Sequence, residues 1–249
     1  MKLTGNTIFI PGATSGIGLG LALRLQAGNT VIIGGRRTDR LEQITTDNPG
    51  IGAVTIDTSD PESIEAAYAK VAAEHPDLNV LIPMAGMMEQ EDLHTPDYLP
   101  TAENTVITNL LGPIRLIAAF TPLLSQQETA TIMTVTSGLA YVPLPISPTY
   151  NATKAAIRSF TDSLRVQLAD TSIQVVELVP PGVRTDMFGG VLNATNMPLE
   201  DFLDEVMTLL ETEPEAEQIL VENVKYLRFA EANGVYPDAL AMLGNVTVD

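Results

Sequence analysis

Tyr150 and Lys154 stand four residues apart in Tyr150-Asn151-Ala152-Thr153-Lys154, and Ser137 lies a short way upstream. On a helix, a spacing of four puts two side chains on one face. The run Thr131-Ile132-Met133-Thr134-Val135 reads as a buried strand, so Ser137 is presented just past a strand end. A phenol, an amine and a hydroxyl gathered there can carry out proton chemistry. An ordinary tyrosine, with a pKa of about 10, is too weakly acidic to act as a base near neutral pH. A nearby ammonium favours the phenolate and lowers that value. Ser137 would then hold a substrate oxygen while Tyr150 delivers or removes its proton. The plainer alternative is a Tyr and a Lys that merely share a half-exposed helix. A Gly-rich turn at the start of the chain weighs towards the chemical reading.

That turn needs elements around it. Thr7-Ile8-Phe9-Ile10 reads as a buried strand, Pro11-Gly12-Ala13-Thr14-Ser15-Gly16-Ile17-Gly18 as the turn, residues 19–27 as a helix, and Val31-Ile32-Ile33 as a second strand. This is a parallel crossover unit. Glycines let the backbone approach a pyrophosphate, and the free N–H groups at a helix start attract its charge. Gly12, Thr14, Ser15, Gly16, Ile17 and Gly18 are therefore candidates to hold a dinucleotide. The spacing G-x-x-x-G-x-G differs from the commoner G-x-G-x-x-G, and such a turn can also be only a loop. After the second strand, Gly35 stands where an acidic residue would hold the ribose hydroxyls of NAD, with Arg36 and Arg37 behind it. Arginines there can pair with a 2′-phosphate, so NADP(H) is the preferred cofactor and NAD(H) a possible one. Read without function, they only flank a helix.

Further along, a third strand at residues 53–56 ends at Asp57 and Thr58. Asp57 can accept from an adenine amino group or cap the helix that follows. A fourth strand, Val80-Leu81-Ile82, leads to Ala85 and Gly86, where a cofactor ribose could lie close. Residues 101–124 read as a long helix bent at Gly112-Pro113, with Asn109 inside it. A mid-helix Asn is more often on a solvated face than in chemistry. A sixth strand, Val175-Val176-Glu177-Leu178-Val179, ends at Pro180-Pro181-Gly182. Residues 186–198 are loop-like, 199–210 and 214–232 read as acidic amphipathic helices, and 235–249 show no seventh strand.

Alternating strands and helices over residues 1–249 predict the α/β class, as one domain. The expected fold is a single doubly wound, Rossmann-type parallel sheet of about six strands in the order 3-2-1-4-5-6, with ligands at the strands' carboxyl ends. Gly12, Asp57, Gly86, Ser137 and Pro180 all fall at such ends.

Composition narrows the partners. With 31 Asp and Glu against 13 Lys and Arg, the net charge of −18 disfavours nucleic acid and anionic membrane surfaces. No Cys is present, which excludes disulfides and thiolate chemistry, and the two His have no partner at ligand spacing, so no metal site is expected. No signal-peptide layout and no bilayer-length apolar run are read, so a cytoplasmic protein with a small-molecule substrate is expected.

With these residues in place, the chain resembles the short-chain dehydrogenase/reductases, and within them the DltE-like oxidoreductases. Gly12-Ala13-Thr14-Ser15-Gly16-Ile17-Gly18, Ser137, Tyr150-Asn-Ala-Thr-Lys154, Thr136-Ser-Gly-Leu-Ala, Pro113-Ile-Arg-Leu and Pro180-Pro181 carry the likeness. The resemblance implies that Tyr150 is the general acid in reduction and the base in oxidation. Lys154 would tune Tyr150 and hold the nicotinamide ribose, Ser137 would bind the carbonyl, and Asn109 would hold a water leading to solvent. Val183 and Thr185 would hold the carboxamide, and residues 186–198 would close over the site. A carbonyl or alcohol substrate and a homodimer or homotetramer are implied as well. Leu139, Tyr141, Val142, Met187 and Phe188 suggest an apolar substrate pocket. Pro11 and Pro83-Met84 depart from the family, whose Thr and Asn brace the first and fourth strand ends with hydrogen bonds; proline has no N–H to give. Two other readings stay open. One is a nucleotide-binding protein without turnover, and the other is an epimerase or dehydratase on the same fold.

Overall fold

The computed structural model describes residues 1–187 and 196–246. In chain order the elements are β1 (Thr7–Pro11), α1 (Gly16–Leu25), β2 (Thr30–Gly35), α2 (Thr38–Asp47), β3 (Ile51–Thr55), α3 (Pro61–Glu74) and β4 (Val80–Leu81). They continue with α4 (Leu99–Val106), α5 (Gly112–Leu124), β5 (Ala130–Val135), α6 (Pro148–Gln167) and β6 (Ile173–Leu178). The last are α7 (Leu199–Thr212), β7 (Gln218–Ile219), α8 (Glu222–Arg228) and α9 (Tyr236–Gly244).

Strand side chains alternate between two apolar layers, as a pleated strand covered on both faces requires. Ile8, Ile10, Val31 and Ile33 pack with Leu21 and Leu25 of α1 and Phe202, Leu203 and Val206 of α7. Phe9 and Ile32 face the other way, onto Ile64 and Val71 of α3 and Leu116, Ile117 and Phe120 of α5. All strand pairs are parallel, in the order β3-β2-β1-β4-β5-β6-β7. The order reverses between β1 and β4, and that crevice is where such sheets bind ligands.

The expected six strands are seven. β7 pairs Gln218 with Glu177 and Ile219 with Leu178, inside the stretch whose acidic-apolar pattern predicts one helix over 214–232. A two-residue strand has no period to read, and the helix resumes only at α8. The tail forms α9 rather than a strand.

The helix expected over 101–124 is divided. A π turn, Ile107–Leu111, joins α4 to α5, and Gly112 N–H donates to Ile107 O, five residues back. Pro113 has no N–H, so the carbonyl of Asn109 has no donor at the ordinary α-helical position. The widened turn falls where that donor is missing, and such turns often mark functional positions. Contrary to the sequence expectation, the whole helical run Pro96–Leu124 is long and apolar enough to cross a membrane by length and composition. Its residues Leu116, Ile117, Phe120 and Leu124 are buried against the sheet.

Candidate active site

A cleft of about 1070 Å³ lies along the carboxyl ends of the strands, with Gly12, Asp57, Gly86, Ser137 and Pro180 on its wall. Its floor is the junction of β1 and β4. Pro11 and Pro83 supply no N–H, yet the two strand ends stay tied: Pro11 O accepts from Met84 N at 2.9 Å and Ala85 N at 3.0 Å. The two strand ends are thus held by backbone bonds, with no side chain needed. Gly12 has φ +97°, and a Cβ there would lie 2.3 Å from Ala85 N. Only glycine fits.

The start of α1 suits a pyrophosphate. Ser15 occupies the N-cap but its side chain makes no capping bond, which leaves the first-turn N–H groups of Gly16, Ile17 and Gly18 available to an anion. Thr14 is fixed from outside, accepting at Oγ1 from Arg37 at 3.0 Å and at its carbonyl from Arg40 at 3.3 Å. Arg36 is open, its side chain 76% exposed and 3.9 Å from Asp57. Arg40 was not singled out by the sequence; its place one helical turn into α2 is the signal. Asp57 does not cap α3, because Asp60 does so by accepting from Glu62 N. Instead Asp57 accepts from Ser59 N and Oγ, at 2.9 and 2.6 Å. Burial would raise its pKa, but these bonds and Arg36 together hold it below the ordinary carboxylate value. Thr58, Ala85, Val183 and Thr185 also line the cleft. The glycine turn, the open guanidinium and the uncapped helix start fit a phosphorylated dinucleotide.

Ser137 follows β5 and opens a 3-10 turn, Gly138–Ala140; its Oγ accepts from Leu139 N at 3.1 Å. Tyr150 sits in the first turn of α6, which Pro148 begins. The Ser137 hydroxyl lies near enough to the Tyr150 phenol to favour its ionised form. Lys154, one turn on, has Nζ 5.6 Å from the centre of the Tyr150 ring and donates to Val135 O at 2.9 Å. Burial dominates both groups. It pushes the Tyr150 phenol up to about 12, which the nearby Ser137 hydroxyl only partly offsets. It brings the Lys154 ammonium down to about 8. The expected lowering of the phenol by the ammonium is not seen, because Nζ turns to a carbonyl rather than to the phenol oxygen. Near neutral pH the site holds a neutral phenol beside an ammonium, ready to give a proton.

Asn109 is not on a solvated face. It is 1% exposed, and its amide clamps the backbone of Met87: Met87 N donates to Oδ1 at 2.9 Å and Nδ2 donates to Met87 O at 2.7 Å. Nδ2 also lies 3.5 Å from Thr153 Oγ1, which in turn donates to Tyr150 O at 2.7 Å. The π turn therefore joins the cleft-lining segment after β4 to the helix of Tyr150.

A second tie was missed in the sequence. Glu91 accepts from Thr149 N at 2.8 Å, capping α6 in place of Ser147, whose hydroxyl makes no capping bond. Nothing local marks it, because a carboxylate from a distant loop has no sequence register with the helix it caps. Glu91→Ala is expected to lower stability by about 1–2 kcal/mol in urea unfolding, as the loss of a cap does. Glu91→Gln, which keeps an acceptor oxygen, should lose less.

The structure brings Leu139 and Met187 to the cleft but not Tyr141 or Val142. Tyr141 hydrogen-bonds Glu177 and Gln218, with Arg158 and Arg228 each 4.6 Å from its ring centre. Val142 is fully buried with Ala230 and Ala239. The turn after Ser137 reverses the chain, so neighbours in sequence face different sides. Phe188 lies outside the described residues. Met87, Met88, Leu227, Leu243 and Val246 line the cleft without having been singled out.

A doubly wound parallel sheet with a glycine turn at its switch point defines a Rossmann-type protein, and Ser137, Tyr150 and Lys154 give it a proton-handling edge. A family model described as short chain dehydrogenase matches residues 6–196. The chain is 43% identical over 189 residues to the oxidoreductase DltE of Bacillus subtilis, covering 75% of each. It is 30% identical over 226 residues to a sulfoacetaldehyde reductase of Chromohalobacter salexigens, covering 85% of each. A short chain dehydrogenase from Burkholderia cenocepacia, solved in complex with NADP, superposes with a TM-score of 0.81 at 25% identity, across 99% of this chain and 100% of that one. The chain belongs to the short-chain dehydrogenase/reductase family of oxidoreductases.

Proposed function

We propose that the protein is an NADP(H)-dependent carbonyl reductase or secondary alcohol dehydrogenase. The observation that carries this reading is Tyr150 beside Ser137, with Lys154 one turn away, at the edge of a cleft shaped for a dinucleotide. When bound, NADP(H) supplies or accepts the hydride at the carbonyl carbon. Ser137 holds the substrate oxygen, and Tyr150 gives that oxygen its proton in reduction or removes it in oxidation. Lys154 holds the cofactor ribose and keeps a positive charge beneath the phenol. Asn109 fixes the Met87 segment and the start of α6 relative to each other. Gly16, Ile17 and Gly18 meet the pyrophosphate, and Arg36 and Arg37 the 2′-phosphate. The reading also places one domain over the chain, in the cytoplasm, as a homodimer or homotetramer.

Fluorescence titration with NADPH and NADH tests it. NADPH is expected to bind about 10–100-fold more tightly, the worth of a charge-assisted hydrogen bond, and Arg36→Ala should reduce that ratio. Equal affinities would remove the NADP assignment, and no binding of either would remove the dehydrogenase reading.

A further inference from the structure

Past Ser137 the cleft has a wall that the proton-transfer set does not use. Gly138, the next residue, is so close to α8 that a Cβ there would lie 2.9 Å from Val224 Cγ2 and 3.2 Å from Leu227 Cδ1. α9 is seated against α8, with Ala230 and Ala239 buried in one apolar cluster. The C-terminal helices thus bring Leu227, Leu243 and Val246 to the cleft, opposite Met87 and Met88 from the segment after β4.

The charges in this cleft are unevenly placed. Among the described residues its wall holds three cations, Arg36, Arg37 and Lys154. The arginines follow β2, which is separated from β5 and Ser137 by β1 and β4, so they stand three strand spacings away, about 14 Å. The Lys154 ammonium is held by Val135 O and is nearly buried. Residues 188–195 and 247–249 contain no Lys or Arg. At the other end of the cleft the charged side chains on the wall besides Lys154 are carboxylates, Glu89 and Asp186, both on exposed residues at the rim. An anionic substrate would lose its hydration there without gaining a cationic partner, and would approach a chain of net charge −18.

We propose that the site selects uncharged, largely apolar carbonyl compounds and rejects those bearing a carboxylate, sulfonate or phosphate. This rests on the oxidoreductase reading above and names its substrate class. In the reaction tested, the aldehyde carbon gains the hydride of NADPH and its oxygen gains the Tyr150 proton. The C=O π bond is lost, a primary alcohol forms and NADPH becomes NADP⁺.

The test is a matched pair, 4-formylbenzamide and 4-formylbenzoate, which differ little except in charge. The expected result is a kcat/KM at least about 100-fold lower for the benzoate, about 2.7 kcal/mol of discrimination. The gap should narrow with added salt, because rim charges are screened. Glu89→Gln combined with Asp186→Asn should narrow it further. Equal or better turnover of the benzoate overturns the proposal while leaving the reductase reading intact. If neither aldehyde is reduced, the reductase reading falls, and binding of the same pair to the NADPH complex, followed by nicotinamide fluorescence, still decides the charge preference. Tighter binding of the benzamide supports it, and equal or weaker binding overturns it.

Discussion

Tyr150→Phe lowers kcat for carbonyl reduction by about 10²–10⁴-fold, the range for a positioned general acid, and leaves NADPH binding nearly unchanged. The ring stays in its pocket in the first turn of α6, and the variant removes only the hydroxyl beside Ser137. The pH profile separates this chemical role from a structural one. Burial pushes the phenol up to about 12, so Tyr150 holds its proton throughout the neutral range. The Lys154 ammonium, brought down to about 8, is charged below that pH and neutral above it. Reduction by the native protein should therefore fall as pH rises through about 8, when the positive charge beneath the phenol is lost. Lys154→Arg, whose guanidinium keeps its proton, should move that fall to higher pH even where its overall rate is lower. A Tyr150→Phe variant with native kcat, or a fall in rate unmoved by Lys154→Arg, would refute these roles. Stopped-flow loss of NADPH absorbance across the pH range measures both.

Gly12→Ala is expected to be the most damaging substitution in the nucleotide half of the cleft. An alanine at φ +97° is strained, and its methyl would stand 2.3 Å from Ala85 N. That atom cannot step aside without breaking its bond to Pro11 O. Overpacking against backbone, added to the strain, should cost about 3–5 kcal/mol of stability. Urea unfolding reads the loss, and fluorescence titration should show NADPH affinity falling with it, because the floor of the cleft must open. Gly5→Ala is the control: its φ is also positive, at +77°, but a Cβ there has nothing within 4 Å. A cost at Gly12 no larger than at Gly5 would show that the contact with Ala85 carries no weight.

The parts of this molecule legible in the sequence are those governed by local pattern. The strands β1, β2 and β5 are largely apolar runs, and β6 is one interrupted by Gln174 and Glu177; a parallel sheet covered on both faces requires such runs. The glycine turn, the strand-end serine and the i, i+4 spacing of Tyr150 and Lys154 are also short-range features. What escaped depends on contacts between distant segments. Glu91 caps α6 from 58 residues away. Asn109 looked solvent-facing because its partner is the backbone of Met87, 22 residues upstream. β7 is a strand only because β6 is there to pair with it. Tyr141 lies in the apolar approach to Tyr150 along the chain, yet its hydroxyl is engaged by Glu177 from β6.

The backbone tie at the floor of the cleft has a consequence for how this chain can vary. Pro11 O, Met84 N and Ala85 N belong to the main chain, so the bonds that align β1 with β4 are indifferent to which side chains those positions carry. A brace made from side chains would restrict residues 11, 83 and 84 to a few polar types. Here the requirement falls on Gly12 alone, the one position where a side chain would push the two strands apart. The tie itself therefore sets no side-chain type at those three positions, and a proline at 11 reduces the conformational freedom that the unfolded chain must give up on folding.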